Sequence, residues 1–212
     1  FEAGSEHMSF KQVSGVMRCP VNNLPAEATF VVKMKGKTIT GEFPVDITQL
    51  GTSSMAAGDA DSELAITYSS DSDGASAEFN VPVPVGVYNE FSVVVKDAQG
   101  TEIFTKEYKK EETAADNQVN RAVLMVMKEI TLPERAMTIS EVWPFYVDAR
   151  VVFDQLKGVT DYAFYIDGAE SPVVVTAEEL NTGKVGALIG GDFAHNSTHT
   201  VAIAKVVGGE PV

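Results

Sequence analysis

The residues able to do chemistry in this chain fall into four groups. The first is carboxylates. Asp59, Asp61 and Glu63 alternate in DADSE, and Asp71, Asp73 and Gly74 close DSDG. Oxygen ligands at alternating positions before a glycine turn are what calcium loops use, yet the spacing fails the twelve-residue pattern that ends in a bidentate glutamate. Solvated acidic loops between strands are the simpler expectation, and no metal site is assigned. A glycosidase also needs two carboxylates across a cleft, but nothing in the sequence builds the larger scaffold that would hold them. The second group is histidine: His7, His195 and His199. His195 and His199 are four apart, a spacing that juxtaposes ligands on a helix. They flank AHNSTHTV, which reads as a turn entering a strand, so they are expected to be structural or solvent-exposed. The third is the single thiol, Cys19. It excludes internal disulfides and multi-thiolate metal centres, and it reads as a buried strand residue. The fourth is aromatic. Trp143, Phe145 and Tyr146 stand together in WPFY. Aromatic faces stack on sugar rings, so Trp143 and Tyr146 are the candidate ligand contacts. The competing reading puts Trp143 in a core or at a domain junction. No nucleophile elbow, HExxH helix or phosphate loop occurs in context, so catalytic residues and cofactors are expected to be none.

The elements that must position these residues have a period of two. In ATFVVKMKGK, Phe30, Val32 and Met34 oppose Lys33 and Lys35. In TITGEFPVDI, Ile39, Phe43, Val45 and Ile47 oppose Thr40, Glu42 and Asp46, predicting a half-buried strand. EFSVVVKDAQGTEIFTKEY predicts two strands around a turn at Asp97–Gly100. QVNRAVLMVMKEITL is apolar on both faces and predicts a central strand, although propensity alone would also allow a short helix. In VPVPVGVYNEF, Pro82 and Pro84 send their missing N–H groups to one edge, predicting a sheet edge or an extended crossover rather than a mid-sheet strand. Gly86 is expected to allow a sharp turn, and Tyr88 to pin it as a tyrosine corner.

Pro133 and the charged pair Glu134–Arg135 mark a linker, after which the pattern restarts. Phe145, Val147, Ala149, Val151 and Phe153 are expected on one strand face, with Tyr146, Asp148, Arg150 and Asp154 on the other. Four more short strand patterns follow. Thr176–Gly183 predicts the one short helical turn, with Thr176 as cap and Gly183 as stop. The predicted fold is all-β: two tandem antiparallel β-sandwich domains, Greek-key and Ig-like or transthyretin-like, over residues 1–134 and 135–212.

The chain has 212 residues, 44% of them hydrophobic, and a formal net charge of −14. Such an excess of carboxylates excludes nucleic acid and a polybasic membrane-surface mode. No apolar run is long enough for a transmembrane helix. The chain starts inside a patterned segment and stops on turn residues, which reads as part of a longer protein.

Two resemblances add to this. MSFKQVSGVMRCPVNNLP, KTITGEFPVDI, VPVPVGVYNEFSVVVKDAQGTEI and NRAVLMVMKEI make residues 8–132 resemble the fimbrillin-like surface lipoproteins of Bacteroidetes; Asn120 and Arg121 stand in the reverse of that family's order. YAFYIDG (Tyr162–Gly168) and the stretch from Gly190 to Val207 make the last third resemble a fibronectin type III-like module, with Phe193 at its leucine position and His199 near its tyrosine position. The first resemblance implies a non-catalytic adhesion or fimbrial subunit on the outer membrane surface. Attachment would be through a lipid anchor outside this chain, and the partners other surface subunits or host or dietary glycans. Two alternatives stay open: a glycan-binding lipoprotein of a polysaccharide-utilisation system, and accessory modules of a secreted glycoside hydrolase whose catalytic domain lies elsewhere.

Overall fold

The computed structural model describes residues 12–44, 47–49, 55–110, 118–176, 186–190, 193 and 196–212. The fold is all-β, of the β-sandwich class, and a single 3-10 turn at Ile47–Gln49 is the only helical element described. No helix among the described residues is long and apolar enough to cross a membrane. The chain divides into two compact units, one of Phe1–Ser70 with Gly74–Pro133 and one of Asp71–Asp73 with Glu134–Val212.

In the first unit the strands are β1 (Gly15–Leu24), β2 (Glu27–Met34), β3 (Ser62–Ser69), β4 (Ala75–Val83), β5 (Gly86–Val87), β6 (Glu90–Asp97), β7 (Glu102–Lys109), β8 (Gln118–Val119), β9 (Leu124–Val126) and β10 (Ile130–Thr131). One sheet runs β3-β2-β6-β7, all antiparallel. The facing sheet has β1 between β4 on one side and β9 and β10 on the other. Alternation does what the sequence requires. Met17, Cys19 and Val21 point inward from β1, and Phe30, Val32 and Met34 point inward from β2. Phe30 and Phe79 stack across the sheets with ring centroids 4.1 Å apart. Cys19 is buried as expected, and that burial pushes its thiol pKa up to about 12, leaving an unreactive core residue.

Several sequence expectations hold in this unit. The β6–β7 hairpin turns at Asp97–Gly100, where Asp97 Oδ1 accepts the N–H groups of Gln99 and Thr101 and Gly100 adopts φ +82°. Pro82 lies in β4, an edge strand. Tyr88 is buried, and its hydroxyl donates to the Pro84 carbonyl at 2.7 Å.

Others do not. Residues 38–44 form no strand. Both edges of β2 are already paired along its length, with β3 and β6, so no ladder is open there. Gly41 sits at φ +112°, and Ser62 Oγ instead takes the Ile39 N–H and donates to Lys37. The segment from Gln118 to Leu132 is not a central strand. Ala122 at φ +55° breaks it, and β9 and β10 run parallel to β1 as a discontinuous edge. Met125 and Met127 reach the core, whereas Leu124 and Val126 are exposed. The interruption lies opposite Pro20, which has no N–H to offer a partner. Gly86 is not a conformational hinge: its φ lies outside the left-handed region, and an added Cβ would make only ordinary contacts at 3.8 Å.

The second unit comprises β11 (Ile139–Pro144), β12 (Asp148–Phe153), β13 (Tyr162–Ile166), β14 (Val173–Val175), β15 (Ala187–Gly190), β16 (Val201–Val207) and β17 (Glu210–Pro211). Its sheets are β11-β12-β15 and β14-β13-β16-β17, all pairs antiparallel. Ala149, Val151, Phe153, Ala187 and Ile189 face Tyr162, Phe164 and Val175, and the Phe153 ring meets Tyr162 and Phe164 edge-on. Gly186, at φ +79°, enters β15 where a Cβ would fall on the Val151 carbonyl. Ala149, Val151 and Phe153 share the buried face as expected, but Phe145 and Val147 do not join them. They belong to the β11–β12 connection, closed by Phe145 N–H donating to Asp148, and both are exposed. The expected helical turn of Thr176–Gly183 lies largely outside the described residues.

Candidate functional site

The connection that displaces Phe145 and Val147 from the strand also builds a groove. It encloses about 650 Å³, in the range of small-molecule sites. Ile139, Val142 and Pro144 of β11, the Phe145–Asp148 connection, and Phe193 with Asn196, Ser197 and His199 line it. Tyr146 is 88% exposed, an unusually bare aromatic ring, and presents itself at the mouth.

Trp143, its expected partner, is not in the groove. The β11–β12 register sets Val142 opposite Val151 and Pro144 opposite Ala149, on the inward face, and Trp143 opposite Arg150 on the outward face. There the Arg150 guanidinium lies 5.8 Å from the indole centroid, and the indole N–H donates to Glu141 at 2.8 Å. Trp143 is neither core nor part of one platform with Tyr146. The two lie three residues apart, and of them Tyr146 alone lines the groove.

Asp167, Ser197 and His199 are joined in a chain at the groove, and of these the sequence singled out only His199, as structural or solvent-exposed. The β13 strand ends in a turn whose central residues, Asp167 and Gly168, take φ +52° and +70°, closed by Ala169 N–H to the Ile166 carbonyl at 3.0 Å. Asp167 thereby sits beside Thr200, just before β16. Its N–H donates to the Thr200 carbonyl, and its Oδ1 accepts the Thr200 N–H at 2.7 Å. Its Oδ2 lies 2.7 Å from His199 Nδ1, and His199 Nε2 is hydrogen-bonded to Ser197 Oγ. The Phe193 ring packs edge-on against the imidazole at 4.9 Å. The hydrogen bond with His199, then the Thr200 N–H, lowers the Asp167 pKa and keeps it a carboxylate. The signal available in the sequence was YIDG, where Asp-Gly marks a turn, followed by SxH; which strand pair joins them is a matter of topology.

The remaining candidates are less suited to a ligand. A second depression, in the first unit, encloses about 580 Å³. Two of its lysines share one carboxylate: Lys35 meets Glu90 at 2.8 Å, and Lys109 approaches the same group at 3.9 Å. The acidic loops are also engaged. Asp61 accepts the Gly36 N–H at 2.6 Å, Lys37 approaches Asp59 at 3.7 Å, and Asp73 accepts the Lys157 N–H at 2.7 Å. Among the described residues no group of three or more histidine, cysteine, aspartate or glutamate side chains is placed to hold a metal. His7 and His195 lie outside the described residues.

No protein-family model matches the chain, and neither the curated proteins nor the solved structures contain a significant match.

Proposed function

We propose that this chain is part of a cell-surface adhesion protein, fimbrillin-like in its first unit, whose second unit binds a carbohydrate in the aromatic-rimmed groove. The observation that carries this reading is Tyr146, bare at the mouth of a concave apolar site with Phe145 beside it. An aromatic ring held out of its own core can stack on the C–H face of a sugar, while Asp148, Asn196, Ser197 and His199 offer hydrogen-bond partners for hydroxyls. Among the described residues neither lysine nor arginine lines the groove, which favours an uncharged glycan over an acidic one. The second unit's sheet order, in which the second strand lies between the first and fifth and the third between the fourth and sixth, accords with a fibronectin type III-like module. Membrane attachment through a lipid anchor, and display on the outer surface, rest on the family resemblance of residues 8–132. The test is binding of the chain to a panel of neutral and acidic soluble polysaccharides. Saturable binding confined to neutral members is expected, and binding to none overturns the reading.

A second reading, a subunit that polymerises, is favoured by the β9 edge. Leu124 and Val126 are exposed there, and the strand has no outer neighbour among the described residues. Such an edge accepts an added strand. Fibres seen by electron microscopy at high protein concentration, and absent with Val126→Pro, would support it.

A further inference from the structure

The hydrogen bonds at the groove rim define a direction for a proton, and this points beyond binding. An ionised Asp167 can only accept, so the hydrogen it shares with His199 must sit on Nδ1. That tautomer leaves the Nε2 lone pair free, and the atom facing it is Ser197 Oγ, whose hydroxyl then donates to the ring. Asp167 itself does not swing: its other oxygen is tied to the Thr200 N–H and lies 3.3 Å from the Thr200 hydroxyl. A serine, a base and a carboxylate that orients the base are therefore connected in the order that activates a hydroxyl nucleophile. Ser197 is exposed, and both it and His199 line the groove, so a ligand seated there meets the hydroxyl directly.

We infer that Ser197, His199 and Asp167 form a nucleophilic site for acyl transfer, taking an ester carried by a ligand in the groove. Ser197 Oγ attacks the ester carbonyl carbon while its proton passes to His199 Nε2. The tetrahedral intermediate collapses, the bond from acyl carbon to alcohol oxygen breaks, and the alcohol leaves with the proton from Nε2. Water then gives a proton to Nε2 and attacks the acyl-serine. The carboxylic acid departs, and Ser197 recovers its proton. Ser197 and His199 are the catalytic residues in this scheme, and Asp167 is a positioning residue. The inference goes beyond the carbohydrate reading and does not rest on it.

The experiment is hydrolysis of p-nitrophenyl acetate by the whole chain, with a fluorophosphonate probe mapped by peptide mass spectrometry. A positioned general base contributes about 10²- to 10⁴-fold to such a step. Expected are probe attachment at Ser197 and a hydrolysis rate at least about tenfold above that of Ser197→Ala and His199→Gln. Asp167→Asn should lower kcat with KM unchanged, because it removes the tautomer but not the groove. Ser197 is exposed, so Ser197→Ala should keep the wild-type melting temperature. Equal rates for wild type and Ser197→Ala, or no label on Ser197, overturn the inference, whatever the carbohydrate panel shows.

Discussion

Tyr88 and Asp167 show how single side chains hold this chain's corners. The Tyr88 hydroxyl is the partner of a buried Pro84 carbonyl, and burial raises its pKa, so it stays a donor across the working pH range. Tyr88→Phe should destabilise the first unit by about 1–2 kcal/mol in denaturant titration, the cost of a buried acceptor left unpaired. Gly86→Ala should be nearly neutral, since its backbone needs no glycine and a Cβ fits. Asp167 gives the second unit a pH dependence. Its folded pKa lies below the unfolded value, so the unfolded chain binds the proton more readily. Its contribution is therefore complete near neutrality and is lost as pH falls through the carboxylate range. The melting-temperature gap between wild type and Asp167→Asn should be widest above about pH 5 and close towards pH 3.

Edges decide much at the scale of elements. The sheet containing β1 has one edge, β4, carrying Pro82, and another, β9 and β10, where Leu124 and Val126 of β9 face out. Because β9 buries only one face, Val126→Lys should change stability by less than about 0.5 kcal/mol, whereas Met125→Asp should cost more than about 1 kcal/mol. Comparable losses from both would contradict the register. Strands whose alternation was regular were legible in the sequence: β2, β6, β7 and β12, with the Asp97–Gly100 turn and the Tyr88 corner. What misled was equal apolarity on both faces. VLMVM reads as central when only residue type is counted, and it takes the break at Ala122 to show that one face is left to solvent. TITGEFPVDI had the right period, but residues 38–44 form no strand, and β2, the strand before them, is paired on both edges. The groove was half legible. Tyr146 stood out as an aromatic, but its separation from Trp143 depended on where β11 ended. The Asp167–His199–Ser197 chain depended on β13 pairing with β16, which brings residues 32 apart within hydrogen-bonding distance.

The described residues form two cores, each closed by its own aromatic contacts across the sheets: Phe30 on Phe79 in one, Phe153 on Tyr162 and Phe164 in the other. Phe30→Ala and Phe164→Ala should each remove about 3–5 kcal/mol, and each should lower only its own unit's transition in scanning calorimetry. A single transition that shifts equally with either substitution would mean that the cores do not unfold separately. The groove and the Asp167–His199–Ser197 chain both lie in the second unit. The most direct test is calorimetric titration of wild type, Tyr146→Ala and Trp143→Ala with the neutral polysaccharide that binds the chain best. The groove reading predicts at least about a tenfold loss of affinity for Tyr146→Ala and wild-type affinity for Trp143→Ala. Loss with Trp143→Ala and full binding by Tyr146→Ala would move the ligand to the outer sheet face and contradict it.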